Sequence, residues 1–594
     1  MLLTTLLSLP TTLALDVNDE GRLLVLYDGT GTRQVNEVAP DGTWRALTDL
    51  DEGCRTARFV PGSRKVAVEH DSGGNERGQL SLLDLDEPLT LTPLVRDPAS
   101  KHNLVDVKAD RVLFTTNRRN GTDFDLIAHD LSTGEQSVLY DGGGWPMAVD
   151  PSPDGKWAVL SLASAQANAT QLLLVDTTTR AVTELTPYDA QNDLKAVSWL
   201  PGSSGFVVSS DADRDRMALR QYDVSDGTWS DLMVDDEHDV AGWVCPDGEH
   251  LLFATVDDGL VPLALHKLAD GSLVAPIDLP PLGCAARSVM MPDPIWSPDG
   301  AFALITYHSP IEPPTVYRYT LATGEVVAMR PPGSPEVPAE LEHPDSHRVP
   351  SFDGEQVPVF VFRPTGPDLG STVIHIHGGP EGAAMRTWSP VISGLAAAGH
   401  TVVVPNVRGS AAYGKRWYSL DDRERRLDSV KDLAAIHAWL PSIGCDPSRA
   451  ALWGGSYGGY MVLAGLAFQP ELWAAGVDIV GIASLVTFLE NTSDYRRATR
   501  EREYGYLATD REFLESASPL SRVDDLRAPL LVIHGANDPR VPLSEAEQIT
   551  AALTQRGVPC RLLVYGDEGH GLAKLPNKLD AYPQALTFLE EHLS

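Results

Sequence analysis

Long apolar runs are missing from this 594-residue chain. No stretch approaches the roughly 20 apolar residues that a bilayer-spanning helix needs, which argues against a membrane-embedded protein. Basic residues are scarce as well: 47 Lys and Arg stand against 82 Asp and Glu, a net charge of −35. A surface of that sign repels nucleic acid and anionic membranes and suits a soluble protein. Cysteine is limited to Cys54, Cys245, Cys284, Cys445 and Cys560, an odd and scattered set without metal-ligand spacing. Reduced thiols are the simplest reading, so a cytoplasmic location is expected. Residues 1–10 are apolar, but no Lys or Arg precedes them. They read as a first strand rather than as a signal segment.

What is present divides into two rhythms, as a chain of this length requires at least two domains. Turn signals at residues 18–21, 61–62, 109–110, 153–155, 201–202, 246–248 and 298–300 each separate two short apolar strands. Their spacing, roughly 42 to 52 residues, matches the four-strand blade of a β-propeller and predicts seven blades over residues 1–335. A β-sandwich with periodic turns is the weaker alternative. An opening strand near residues 9–15 and an outer strand at 325–329 leave none to cross between the first and last blades. The ring is therefore expected to close by side-chain packing alone. After a Pro-rich linker at 330–338, residues 336–594 alternate strand and helix. Strands are predicted at 357–362, 372–376, 401–404, 450–453, 476–480, 530–533 and 562–565, with a helix at 429–440 whose stripe is Val430, Leu433, Ile436 and Leu440. That alternation implies an α/β domain with a mainly parallel sheet covered on both faces.

The chemistry concentrates in this second part. Residues 451–461 read as a strand, a sharp turn and a helix, with Ser456 on the turn between Gly454 and Gly458. This is a nucleophile elbow. Asp538 and His570 each follow a later strand, and the order Ser, Asp, His is that of an α/β-hydrolase. A serine hydroxyl needs a base to attack; His570 supplies it and Asp538 orients the imidazole. Asp538 also fits a turn residue ahead of Pro539, and His570 is one of 16 histidines, but their positions after the right strands favour the triad. The backbone N–H groups of Tyr457 and Gly379 are the candidate oxyanion donors. His375 and His377 have His-x-His spacing, yet no carboxylate cluster is tied to them and Gly-Gly-Pro follows. No metal and no cofactor are expected.

Together, residues 377–380 (His-Gly-Gly-Pro), 406–414, the elbow and the Asp538 and His570 loops resemble the prolyl oligopeptidase family of serine peptidases, most closely its acylaminoacyl-peptidase branch. The resemblance implies a seven-bladed propeller ahead of an α/β-hydrolase domain, over nearly the whole chain. His377 stands where prolyl oligopeptidases and dipeptidyl peptidases use a tyrosine hydroxyl, which leaves the oxyanion to the Gly379 N–H. Dipeptidyl peptidases grip the substrate amine with a Glu-Glu pair on a propeller helix; the adjacent pair here is Glu590–Glu591 at the C-terminus, which argues against that activity. Ala412 replaces a usual glycine.

Ile482, Leu485 and Phe488 are candidates for an apolar substrate pocket, with core packing as their alternative. Arg540 is a candidate contact for a substrate carbonyl or carboxylate, with a surface salt bridge as its alternative. The expected function is a serine peptidase that hydrolyses short peptides through an acyl-enzyme on Ser456, with the propeller excluding folded proteins. A carboxylic ester hydrolase with the same triad is the second reading, and a propeller binding module with a vestigial hydrolase the third. The expected partners are short peptides, with neither nucleic acid nor membrane; a homo-oligomer stays open.

Overall fold

In the computed structural model, which describes residues 2–286 and 293–594, each of the seven turn signals joins two neighbouring strands of a separate antiparallel sheet, the first and second in six of them. Six of these sheets have four strands, and the seventh, spanning residues 284–329, has five. The second strand of a blade is buried along its length, as in Leu23–Tyr27 and Gly205–Ser210, because neighbouring blades pack on both of its faces. Outer strands such as Val182–Glu184 are exposed.

Among the described residues no strand passes between the first and last blades, as expected, but packing is not the whole of the closure. Ala14, Val17 and Val25 pack against Phe302, Leu304 and Val316. The backbone N–H of Ala14 also donates to Thr306 Oγ1 (3.2 Å) and that of Val316 to Thr12 Oγ1 (3.0 Å). Two threonine hydroxyls thus add hydrogen bonds across the seam.

The N-terminus corrects the strand reading of residues 1–10. Leu2–Leu7 is a helix, α1. Leu3, Leu6 and Leu7 are its buried residues, spaced i, i+3 and i+4, which is a helical stripe. Leu3 and Leu7 share a core with Ile392 and Leu395 and with Leu586 and Leu589. The first turns of the chain therefore pack on the C-terminal half, not within the propeller, and the propeller's first strand is Thr12–Val17.

The C-terminal half is built on one eight-stranded sheet: β1 (Asp345–Pro350), β2 (Gln356–Phe362), β3 (Thr372–Ile376), β4 (Thr401–Pro405), β5 (Ala450–Gly455), β6 (Ala475–Ile479), β7 (Leu530–Gly535) and β8 (Cys560–Tyr565). Their spatial order is β1-β2-β4-β3-β5-β6-β7-β8. The β1–β2 and β2–β4 pairs are antiparallel and the rest are parallel. β1 escapes the sequence pattern because it is a polar edge strand whose only buried residue is Val349. The helices that matter below are α2 (Pro390–Ala397), α3 (Arg426–Trp439), α4 (Tyr457–Phe468), α5 (Leu485–Asn491), α6 (Asp494–Tyr504), α7 (Leu543–Gln555) and α8 (Leu575–Leu593). α4 is buried from Tyr457 through Ala467, which anchors the elbow on its helical side.

Candidate active site

Ser456 sits between β5 and α4 with φ 59° and ψ −119°, a backbone conformation that L-residues hold only when the surroundings enforce it. Those surroundings are tight. A side chain at Gly458 would run into the carbonyl of Ile376, and one at Gly454 into the carbonyl of Gly458. The Ser456 N–H donates to Ile479 O (2.8 Å), and its carbonyl accepts from Tyr460 N (3.0 Å).

Asp538 lies on the loop after β7 with its side chain fully buried. Its Oδ1 accepts from the N–H groups of Arg540 (2.8 Å) and Val541 (3.0 Å), and its Oδ2 accepts from His570 Nδ1 (2.7 Å). Because an ionised carboxylate can only accept, the Asp538 bond places the proton of a neutral His570 on Nδ1 and leaves Nε2 as the basic nitrogen. Ser456, His570 and Gly379 line one cavity of about 140 Å³.

Neither the Gly379 N–H nor the Tyr457 N–H has a protein partner among the described residues, so both are available to a ligand. The His377 ring is committed elsewhere, with Nε2 against Ser410 Oγ (2.8 Å) and Nδ1 against Gly378 O (2.8 Å). His375 instead stacks on Trp453 at 6.5 Å. The Tyr457 side chain points away from the turn, donating to Asp421 Oδ2 (3.0 Å) or Ser429 Oγ (2.9 Å). Behind it Arg426 pairs with Asp421 and Glu503. Ala412 has φ 71°, the left-handed conformation that a glycine would hold more easily.

Of the predicted pocket residues, Ile482 and Phe488 line the cavity, as does Arg540. Leu485 does not. It is wholly buried in the domain core, and its N–H donates to Ser518 Oγ (2.9 Å). Arg540 both lines the cavity and forms a salt bridge, from Nε to Glu76 Oε1 of the propeller (2.6 Å). The remaining lining is Glu381, Arg496, Arg500, Tyr504 and Val541, none of which motif reading singled out. A signal was present: Arg496, Arg500 and Tyr504 fall at i, i+4 and i+8 on one face of α6.

The propeller reaches the site through the loop between two strands of its second blade. Asn537 Nδ2, beside the candidate acid, donates to Gly73 O (2.9 Å). A Cβ at Gly74 would lie 2.5 Å from the N of Gly569, the residue before His570. Burial alone would raise the Glu76 carboxyl, but Arg540, Lys101 and Arg55 outweigh it and hold it at about 2. Burial also lowers Lys101 to about 8, with Glu76 opposing. Tyr495 of α6 packs edge-on against Phe124 (5.5 Å) and Trp145 (5.2 Å) of the propeller.

Comparison with known proteins agrees with this architecture. Residues 34–332 match the family model for the prolyl oligopeptidase N-terminal β-propeller domain, and residues 387–594 match the prolyl oligopeptidase family. Dipeptidyl peptidase family member 6 of Caenorhabditis elegans is 35% identical over 37% of this chain and 31% of its own length. Dipeptidyl aminopeptidase BIII of Pseudoxanthomonas mexicana is 27% identical over 90% of this chain and 79% of its own. The acylamino-acid-releasing enzyme of Rattus norvegicus is 28% identical over 37% of this chain, so the match spans only 31% of that enzyme. A puromycin-hydrolyzing peptidase of Mycobacterium tuberculosis superposes with a TM-score of 0.87 over 100% of this chain and 96% of its own, at 20% identity, a likeness of fold. Two of these relatives carry a dipeptidyl activity in their names.

Proposed function

The chain belongs to the prolyl oligopeptidase family of serine hydrolases, and from that premise we propose that it cleaves short peptides through an acyl-enzyme on Ser456, with His570 as base and Asp538 as orienting acid. The observation that carries this is the meeting of Ser456 and His570 on one cavity while His570 Nδ1 is held by Asp538. His570 Nε2 takes the Ser456 proton as Oγ attacks the scissile carbonyl. The oxyanion forms against the N–H groups of Tyr457 and Gly379. When the intermediate collapses, the C–N bond breaks and the amine leaves with the proton from His570. Water, deprotonated by the same nitrogen, then releases the acyl group. A lost oxyanion donor lowers the rate by about 10²- to 10³-fold in such sites.

The limited cavity and the propeller loop seated on the Asp538 and His570 loops support short substrates over folded ones. The relatives suggest two ways of presenting the substrate N-terminus: free, as for a dipeptidyl aminopeptidase, or blocked, as for an acylamino-acid-releasing enzyme. No helix among the described residues is long and apolar enough to cross a membrane. The five free cysteines support a cytoplasmic setting.

A set of peptides with free and acetylated N-termini, with matched esters, tests the reading. Peptide cleavage that disappears in Ser456→Ala is the expected result. Ester turnover with no peptide turnover contradicts the peptidase reading, and peptide turnover that survives in Ser456→Ala contradicts the mechanism.

A further inference from the structure

The cavity has the opposite sign to the protein. The chain carries a net charge of −35, yet three guanidinium groups, Arg496, Arg500 and Arg540, line the space beside Ser456 against one carboxylate, Glu381. Two of the three are answered. Arg540 pairs with Glu76 at 2.6 Å, and Arg500 Nη1 lies 3.4 Å from Glu381 Oε2. Arg496 has no carboxylate within 4 Å among the described residues; its guanidinium lies over the Trp145 ring, 5.5 Å from the centroid. Lys101 adds another cation nearby, 3.6 Å from Glu76 and over the ring of Tyr495. Burial, together with the positive charges of Arg500 and Arg540, lowers Arg496 to about 10. Glu76 offsets this only from beyond contact distance, and a partly desolvated cation with no carboxylate in contact is unfavourable until an anion arrives.

Resting on the peptidase reading above, we propose that this cavity selects an acidic side chain, glutamate above all, on the residue that supplies the scissile carbonyl, with Arg496 receiving the carboxylate. Ile482, Phe488 and Val541 offer apolar wall to the methylene stem, while the guanidinium groups face the head. Glutamate has that form: two methylenes and a planar anion that an arginine binds through paired N–H groups. A lysine or arginine side chain meets like charge here. Packing of Trp145 against Tyr495 and under Arg496 holds the receptor in place from the propeller side.

The test compares chromogenic substrates that differ only at that residue: Glu, its neutral isostere Gln, Leu and Lys. Glu is expected to exceed Gln in kcat/KM by about 10- to 100-fold, the range for one charge-assisted hydrogen bond. In Arg496→Gln the Glu-to-Gln ratio falls toward one, and Arg496→Lys restores part of it. The ratio is taken within each variant, so a general loss of activity does not imitate the effect. Should these variants fail to fold, the wild-type salt dependence decides: kcat/KM for Glu falls with ionic strength while that for Gln does not. Equal turnover of Glu and Gln overturns the proposal, as does an unchanged ratio in Arg496→Gln. So does a preference that follows a free C-terminal carboxylate, read by comparing acid and amide peptides. A protein that neither takes a fluorophosphonate nor turns over any substrate or ester fails the peptidase reading itself, a separate outcome.

Discussion

Two glycines, one in each half of the molecule, work in opposite ways. In the propeller, Gly155 sits in a blade turn at φ 69° with nothing within 4 Å of where a Cβ would be. Its role is local: it lets the backbone turn. In the catalytic half, Gly458 has no left-handed φ but no room either, since the Ile376 carbonyl occupies the place of its side chain. There the missing side chain lets α4 approach the end of β3. The difference teaches where each half is vulnerable. Propeller turns are strained one at a time, whereas a change at the elbow moves the nucleophile and its neighbours together.

The largest expected effect lies in the catalytic half and spares the propeller. Asp538→Asn removes the acceptor that sets the His570 tautomer, and kcat should fall by about 10⁴-fold with little change in melting temperature, read by steady-state kinetics and calorimetry. Gly458→Ala comes next. A displaced Ser456 lowers fluorophosphonate labelling and kcat by about 10²-fold or more; full activity in a folded Gly458→Ala protein breaks the contrast.

A stability effect follows. Burial pushes Asp478, in β6 beneath the elbow, from 3.8 up to about 7. The folded state therefore holds a proton that the unfolded state releases. Its contribution is fully present below about pH 4 and is lost as pH rises through about 7. Asp478→Asn should flatten that part of the stability profile and raise stability at pH 8 by on the order of 2 kcal/mol, measured by denaturant unfolding. An unchanged pH profile contradicts the assignment. Smallest of all, Gly155→Ala should cost about 1 kcal/mol, a shift of a few degrees at most, with kcat/KM unaltered. A Gly155→Ala loss of activity comparable to that of Gly458→Ala would erase the distinction between the halves.

The same distinction explains how much was legible in the sequence. Blade turns are local events, so residues 153–155 and 298–300 announce themselves through Pro, Asp and Gly at a regular period. The elbow is local too, which is why Ser456 and its glycines stand out, and the parallel strands are short apolar runs. What escaped is long-range. The helical spacing of Leu3, Leu6 and Leu7 was visible, but its partners on α2 and α8 are nearly 400 and 600 residues away in sequence. Edge strand β1 has too few buried side chains to show a period. All three of Ile482, Leu485 and Phe488 are buried in the domain core, and only the packing decides that Ile482 and Phe488 also reach the cavity while Leu485 does not. The charges facing the cavity required two things at once: the i, i+4, i+8 row on α6, and a propeller loop that brings Glu76 to Arg540 from 464 residues away.

The catalytic expectations depend on Ser456 being the nucleophile. Treating the native protein with a fluorophosphonate, then mapping the adduct by mass spectrometry of its peptides, addresses that directly. A single adduct on Ser456, absent from Ser456→Ala, is the predicted result; an adduct on another serine with Ser456 unmodified would contradict the account.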